Sequence, residues 1–121
     1  MGYRTKDFQL LFATNSTGAG TPTDVNGYGW LHFQTFGFNN PAVAATSTQI
    51  RPEVTVDGLN WVLTTVTDLA NDTATSTVAS NSVYRLGDIG GIAGFRLRIG
   101  TFNGAAAASL TAFGRAFGTF A

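Results

Sequence analysis

The chain has 121 residues and a mass of 12.7 kDa, enough for one domain with a single core. Its formal net charge is zero, so charge gives no support for binding to nucleic acid or to an anionic membrane. Cysteine is absent, which excludes disulfides, thiolate catalysis and cysteine-ligated zinc. The start of the chain is polar and no apolar run approaches the length of a membrane span, so we expect neither a secretory signal nor membrane association.

The surface composition is unusual for a monomer. Charged residues make up only 12% of the chain, about half of the ~25% found in an average soluble domain. The aromatic residues nevertheless include ten Phe, two Trp and three Tyr. Because a monomer usually covers itself with charged side chains, we expect partner proteins over much of this surface.

The first half of the chain predicts strands separated by turn residues, with almost no helix. In chain order the segments are a strand at 7–14, a Ser/Thr/Gly/Pro-rich loop at 15–26, an aromatic strand at 28–38, a short strand at 42–45 and an alternating strand at 48–56. The loop at 15–26 is a predicted contact segment.

The next segment, VDGLNWV, predicts a tight hairpin. Gly58 suits the first central position of a type II′ turn with the two-residue loop Gly58-Leu59, so Asp57 lies opposite Asn60 at the turn. The other predicted pairs are Val56 with Trp61, Thr55 with Val62, and Val54 with Leu63. This register aligns the apolar side chains on one face, which makes Trp61 a core residue.

The second half continues the pattern. It predicts a polar contact loop at 68–82, a strand at 82–86, a glycine-rich loop at 87–94, a strand at 95–102, an Asn103-Gly104 turn and a strand at 105–112. Closure at Asn103-Gly104 pairs Phe95 with Ala112, Leu97 with Leu110 and Ile99 with Ala108. About seven short strands in one domain, residues 1–121, predict an all-β antiparallel sandwich of the immunoglobulin-like or jelly-roll-like kind, with a small barrel as the alternative.

The last segment, FGRAFGTFA, contains three phenylalanines separated by glycines. Gly114 and Gly118 make a helix improbable. One hypothesis is that the tail at 113–121 docks on a neighbouring subunit or a shell, with Phe113, Phe117 and Phe120 as anchors and Arg115 on a carboxylate. The alternative is a final edge strand packed on its own sandwich.

The candidate catalytic and metal groups do not form a recognisable motif. Glu53 and Asp57 could serve acid/base chemistry, but the pattern places one on an outer strand face and the other at a turn. His32 is the one histidine and no nucleophile motif accompanies it. The aspartates at 57, 68, 72 and 88 fit no calcium loop. We therefore expect no enzyme activity, no metal and no cofactor.

Two surface patterns could bind a partner. Arg96 and Arg98, with Arg85, predict a basic stripe that either contacts an acidic partner or pairs with Glu53 or Asp88 in solvent. The second pattern is aromatic: Tyr28, Trp30 and His32 share one strand face, and Leu31 and Phe33 share the other. The first face is a sugar-stacking platform, a protein interface, or one side of a strand that is buried on both sides.

Two longer segments, TQIRPEVTVDGLNWVLTTV and SVYRLGDIGGIAGFRLRIGTF, resemble small β-sandwich structural proteins of tailed bacteriophages. In that pattern a strand ends in V-D-G-x-x-W, a Thr/Ser-rich loop follows, and V-Y-R precedes a glycine turn and an R-x-R strand. The match covers about residues 48–112. The matching residues are Val56, Asp57, Gly58, Trp61, Val83, Tyr84, Arg85, Arg96 and Arg98.

The resemblance implies a non-enzymatic virion protein. The role it most favours is a capsid decoration (cement) protein, a homotrimer that binds the major capsid protein on the surface of a phage head and is made in the host cytoplasm. A tail or baseplate accessory module is the nearest alternative, and a carbohydrate-binding β-sandwich module that uses Tyr28 and Trp30 is the alternative from another class.

Overall fold

The computed structural model describes residues 2–38, 48–102 and 109–120, and this part of the chain is built from strands without a helix. No described segment is therefore a helix that could cross a membrane. The strands are β1 (Gly2–Thr14), β2 (Gly18–Ala19), β3 (Thr23–Asp24), β4 (Trp30–Phe36), β5 (Gln49–Thr55), β6 (Val62–Leu63), β7 (Val66–Asp68), β8 (Thr73–Thr75), β9 (Val83–Leu86), β10 (Gly94–Thr101) and β11 (Leu110–Phe120).

The strands form two antiparallel sheets. The first has six strands in the order β1-β11-β4-β9-β7-β8, and the second has the order β2-β10-β5-β6, with β3 also paired to β10. Neither sheet closes on itself in the described part of the chain. The predicted antiparallel β-sandwich is therefore confirmed, and the barrel alternative is not adopted.

The core lies between the two sheets and follows from the alternation of side chains along each strand. On β4, Leu31 and Phe33 are fully buried, whereas their neighbours face outward. The Phe33 ring stacks on Tyr84 of its own sheet at 5.2 Å between centroids and meets Phe95 of the second sheet at 5.6 Å. Phe33 therefore joins the two layers.

The hairpin after β5 has a different register from the predicted one. Val54 pairs with Val62 and Glu53 with Leu63, a shift of one residue from the predicted pairs. The cause is the Asp57 side chain, whose Oδ1 accepts the backbone N–H groups of Leu59 and Asn60 at 2.9 Å and 2.8 Å and thereby fixes a wider turn. A shift of one residue exchanges the two faces of a strand.

The predicted core face of this hairpin is therefore wrong. Val56 is 71% exposed, and Leu63 is also exposed. Trp61 is half-buried on the outer surface of the second sheet, where its ring would stand 3.0 Å from a Cβ placed on Gly94. The guanidinium of Arg96 lies 4.3 Å from the centre of the Trp61 ring. Trp61 covers the sheet from outside and does not fill the core.

The turn at Asp57 gives a testable pH dependence. Hydrogen bonds from the backbone of Asn60 and Leu59 hold the pKa of Asp57 well below its usual range. A lowered folded-state pKa adds stability that is present at neutral pH and is lost as the pH falls. Asp57→Asn keeps one acceptor oxygen but loses the charge, so we expect a small loss of stability at pH 7.

Urea unfolding at neutral pH and below about pH 4 measures this effect. The wild-type free energy of unfolding should fall more steeply with acid than that of Asp57→Asn. Parallel pH profiles for the two proteins would show that the turn does not hold the carboxylate in its charged form.

The predicted hairpin between the last two strands is also wrong. β10 belongs to the second sheet and β11 to the first, so the predicted pairs of Phe95 with Ala112 and of Leu97 with Leu110 do not form. The predicted partner of Ile99, Ala108, lies outside the described residues. Both edges of β10 are occupied, by β5 on one side and by β2 and β3 on the other. The inward direction of the side chains was predicted correctly, because Phe95, Leu97, Ile99, Leu110 and Ala112 are all buried. Asn103, Gly104 and the predicted strand at 42–45 lie outside the described residues.

The C-terminal segment is an inner strand and not a docking tail. β11 lies between β1 and β4 and pairs with both along most of its length. Its residues Ala112 and Ala116 are fully buried. Between them, position 114 needs a glycine, since a Cβ on Gly114 would overlap the Phe8 ring and stand 2.9 Å from the His32 carbonyl oxygen. The hypothesis that the tail leaves the sandwich is therefore wrong for the backbone of residues 113–120, which forms an inner strand instead of the edge strand of the alternative.

The predicted loop at 68–82 contains the end of β7 and all of β8. Asp68 is buried and accepts hydrogen bonds from the Ser82 hydroxyl at 2.6 Å and from the Ala70 N–H at 3.0 Å. These bonds lower the pKa of Asp68. Part of the predicted loop is therefore strand, and hydrogen bonds to Asp68 hold its two ends together.

Candidate functional site

The outer surface of the six-stranded sheet is aromatic where β4 and β11 lie side by side. The register places Phe117 opposite Trp30, Arg115 opposite His32 and Phe113 opposite Gln34. All of these side chains point away from the core, because the alternate residues on both strands are the buried ones. We call this surface the aromatic face and define it by Trp30, His32, Phe36, Phe113 and Phe117.

The rings of the aromatic face form two clusters. Trp30 stacks on Phe117 with 5.5 Å between centroids and 10° between planes, and His32 meets Phe117 edge-on at 5.3 Å. Phe36 and Phe113 form a second, T-shaped pair at 6.1 Å. This second pair is the more open, with Phe36 42% and Phe113 45% exposed. Exposed aromatic surface of this kind is typical of binding sites.

A shallow groove of about 660 Å³ runs across the aromatic face. Its apolar walls include Phe36, Phe113 and Val83, and polar groups of Gln9 and Gln34 also line it. At one end Arg115 donates hydrogen bonds to both carboxylate oxygens of Asp7, the longer at 3.0 Å. This pair lowers the pKa of Asp7 and raises that of Arg115, but both side chains are exposed and the pair contributes little stability.

His32 lies in the same groove in its neutral form. Partial burial lowers the pKa of the imidazole, and the positive charge of Arg85 lowers it further. At neutral pH the ring therefore acts as an uncharged aromatic group that can donate and accept hydrogen bonds.

The sequence-predicted aromatic row is only partly correct. Trp30 and His32 lie on the aromatic face and are half-exposed, so β4 is not a strand buried on both sides. Tyr28 precedes β4, packs partly against the core and carries the Arg4 guanidinium 4.6 Å above its ring. Phe36 was not among the predicted site residues. It lies an even number of residues from Trp30 and His32 on the same strand, so alternation places all three on one face.

A second, polar surface lies on the outside of the other sheet. Arg96 Nε donates to Glu53 Oε1 at 2.7 Å, and Arg98 Nε approaches the same oxygen at 3.3 Å. Arg51 lies directly opposite Arg98 across β5 and β10. We call Arg51, Glu53, Arg96 and Arg98 the arginine face. Arg85 does not belong to it, because Arg85 pairs with His32 in the six-stranded sheet.

The two carboxylates considered as a catalytic pair serve different contacts. Glu53 is the shared acceptor of two arginines, and Asp57 holds its own turn. Within residues 2–38, 48–102 and 109–120 no three His, Asp or Glu side chains come together as a metal site. Nothing is described of the Phe120 side chain, so its predicted role as an anchor is untested.

Two solved structures share this open sandwich. The SPBc2 prophage-derived protein YomS matches with a TM-score of 0.78 and 16% identity, over 97% of this chain and 96% of its own. The PBSX exported protein XepA matches with a TM-score of 0.81 and 16% identity, over 97% of this chain and 39% of its own. Likeness at this identity shows a common fold. No family model matches the chain, and no curated protein matches it in sequence.

Proposed function

We propose that this chain is a non-enzymatic phage structural protein that works by binding other proteins through its aromatic face. The observation that carries the proposal is the open Phe36–Phe113 pair on a rigid sheet, in a chain with few charges. The fold shared with a prophage-derived protein over almost the full length of both chains supports a phage setting. The two sequence segments that resemble phage β-sandwich proteins also support a phage setting.

The specific role we propose is capsid decoration, in which the protein binds the major capsid protein and stabilises the head shell as a homotrimer. The physical basis is that buried aromatic rings supply most of the energy in protein interfaces. The rings of this face already contact one another on paired strands, Trp30 with Phe117 and Phe36 with Phe113. Little side-chain freedom remains to be lost when a partner covers them.

The absence of enzyme activity is part of the same proposal. Glu53 is the shared acceptor of two arginines. Asp57 is tied to backbone N–H groups that favour its charged form, so it is not set up as a proton donor. Replacing Asp57 by its amide would leave head binding unchanged.

Co-sedimentation with phage heads that lack the protein tests the role. The double variant Phe36→Ser, Phe113→Ser should lose at least about tenfold in affinity, with little change in melting temperature. Leu59→Ser, at the exposed hairpin tip, is the matched control and should bind normally.

Sedimentation equilibrium measures whether the protein is a trimer. Failure of the wild type to bind heads, or antibody label on tails, would refute capsid decoration.

A carbohydrate-binding function is the second candidate, and the groove is the observation that favours it. Aromatic walls with Gln9, Gln34 and Arg115 at the margin match the composition of small-ligand sites. Titration with soluble oligosaccharides of bacterial surfaces distinguishes the two. Saturable binding that Phe113→Ser removes, without head binding, would replace the proposal of capsid decoration by this one.

A further inference from the structure

The arginine face contains two like charges directly opposite each other. Arg51 on β5 and Arg98 on β10 are register partners. Like charges in opposite positions of a β-ladder destabilise the sheet. The face carries three arginines and one glutamate, a net charge of +2 in a chain whose total is zero. Repulsion at this position therefore needs an explanation.

The three arginines of this face share a single carboxylate. Glu53 is engaged by Arg96 at 2.7 Å, and its contact with Arg98 is the longer one at 3.3 Å. Among the described residues, no carboxylate forms an ion pair with Arg51. The undescribed segments 39–47 and 103–108 contain no Asp or Glu that could fill this role.

The surroundings of the pair leave it accessible. Arg98 is 40% exposed in its side chain, and Arg51 is exposed. Ala19 is the register neighbour of Arg98 on β2, and the Arg51 side chain lies across Gly100, where a Cβ would stand 2.9 Å from its Nε. Small residues therefore flank the two exposed arginines and leave room for an incoming group.

We propose that Arg51 and Arg98 together bind a carboxylate from an acidic segment of a partner protein. Guanidinium groups form charge-assisted and often bidentate hydrogen bonds with carboxylates, and one anion between two arginines also removes their repulsion. A nucleic acid is disfavoured, because Glu53 lies beside the pair and the chain has no net positive charge. The inference rests on the proposed function only in requiring a protein partner.

This site and the aromatic face lie on the outer surfaces of different sheets, so they are on opposite sides of the sandwich. One copy can therefore contact two proteins at once, one through aromatic rings and the other through charge. The acidic partner would be a neighbour of the protein bound at the aromatic face.

Calorimetric titration of the purified full chain with a hexaglutamate peptide tests the site. At low salt we expect saturable binding that Arg51→Ala and Arg98→Ala each weaken at least about tenfold. Neither variant should change the melting temperature much, because both side chains lie at the surface and the Arg98–Glu53 contact is partly exposed. Arg85→Ala, which removes an equal charge from the other sheet, is the matched control and should bind like the wild type.

Three results would overturn the proposal: no saturable binding, an equal loss in all three variants, or tighter binding of an oligothymidylate of the same charge. The outcome is separate from that of the head-binding experiment. Loss of glutamate binding leaves the aromatic face intact, and loss of head binding leaves glutamate binding measurable.

Discussion

Deletion of residues 114–121 should prevent folding of the isolated domain, the largest effect that the structure predicts. The deletion removes most of β11, which pairs with β1 on one side and with β4 on the other. β1 would lose seven of its ladder partners, from Gly2↔Phe120 to Phe8↔Gly114, and the buried Ala116 would leave the core. Far-UV circular dichroism of the truncated protein should show an unfolded chain.

Arg115→Ala is the control for this deletion. It removes the exposed ion pair with Asp7 but keeps the strand, so the protein should stay folded with a melting temperature close to that of the wild type. If the truncated protein instead melted at the wild-type temperature, β11 would be dispensable and the sheet order given above would be incorrect.

Replacement of Phe33 by alanine should cost about 3–5 kcal/mol of unfolding free energy. Phe33 is buried and contacts Tyr84 and Phe95, so the variant leaves a cavity at the place where the two sheets meet. The matched control is Phe113→Ala, in the same sheet but 45% exposed on the outer face. We expect the control to lose less than about 1 kcal/mol.

Urea unfolding of both variants gives the comparison directly. Similar losses for Phe33→Ala and Phe113→Ala would mean that the inner and outer sides of the six-stranded sheet have been exchanged. A large loss for Phe113→Ala alone would have the same meaning and would remove the basis for the aromatic face.

The direction of side chains was predictable from the sequence because it depends on neighbours two residues apart. On β4 the alternation correctly separated the buried Leu31 and Phe33 from the outward-facing Trp30 and His32. On β10 it correctly gave the inward direction of Phe95, Leu97 and Ile99. The pairing of strands was harder to predict. Asn103-Gly104 favours a local hairpin, but the strands on either side of it belong to different sheets.

The errors at the first hairpin and in the candidate site have different physical origins. The Gly58 turn was assigned from backbone preferences, whereas the Asp57 side chain decides how many residues the turn contains. The Phe36–Phe113 pair arises from the alignment of β4 with β11, which lie far apart in the chain. Pairings over such distances leave no signal in a single sequence, and neither does the opposition of Arg51 and Arg98.

The pairing of β1 with β11 has a consequence for biosynthesis. Residues 2–9 find their ladder partners in residues 113–120, so the domain cannot complete its six-stranded sheet until residues 113–120 have left the ribosome. Until then β1 and β4 each present an unpaired edge to other nascent chains. Strand pairing over such a long sequence separation is slow. High expression at elevated temperature should therefore favour inclusion bodies.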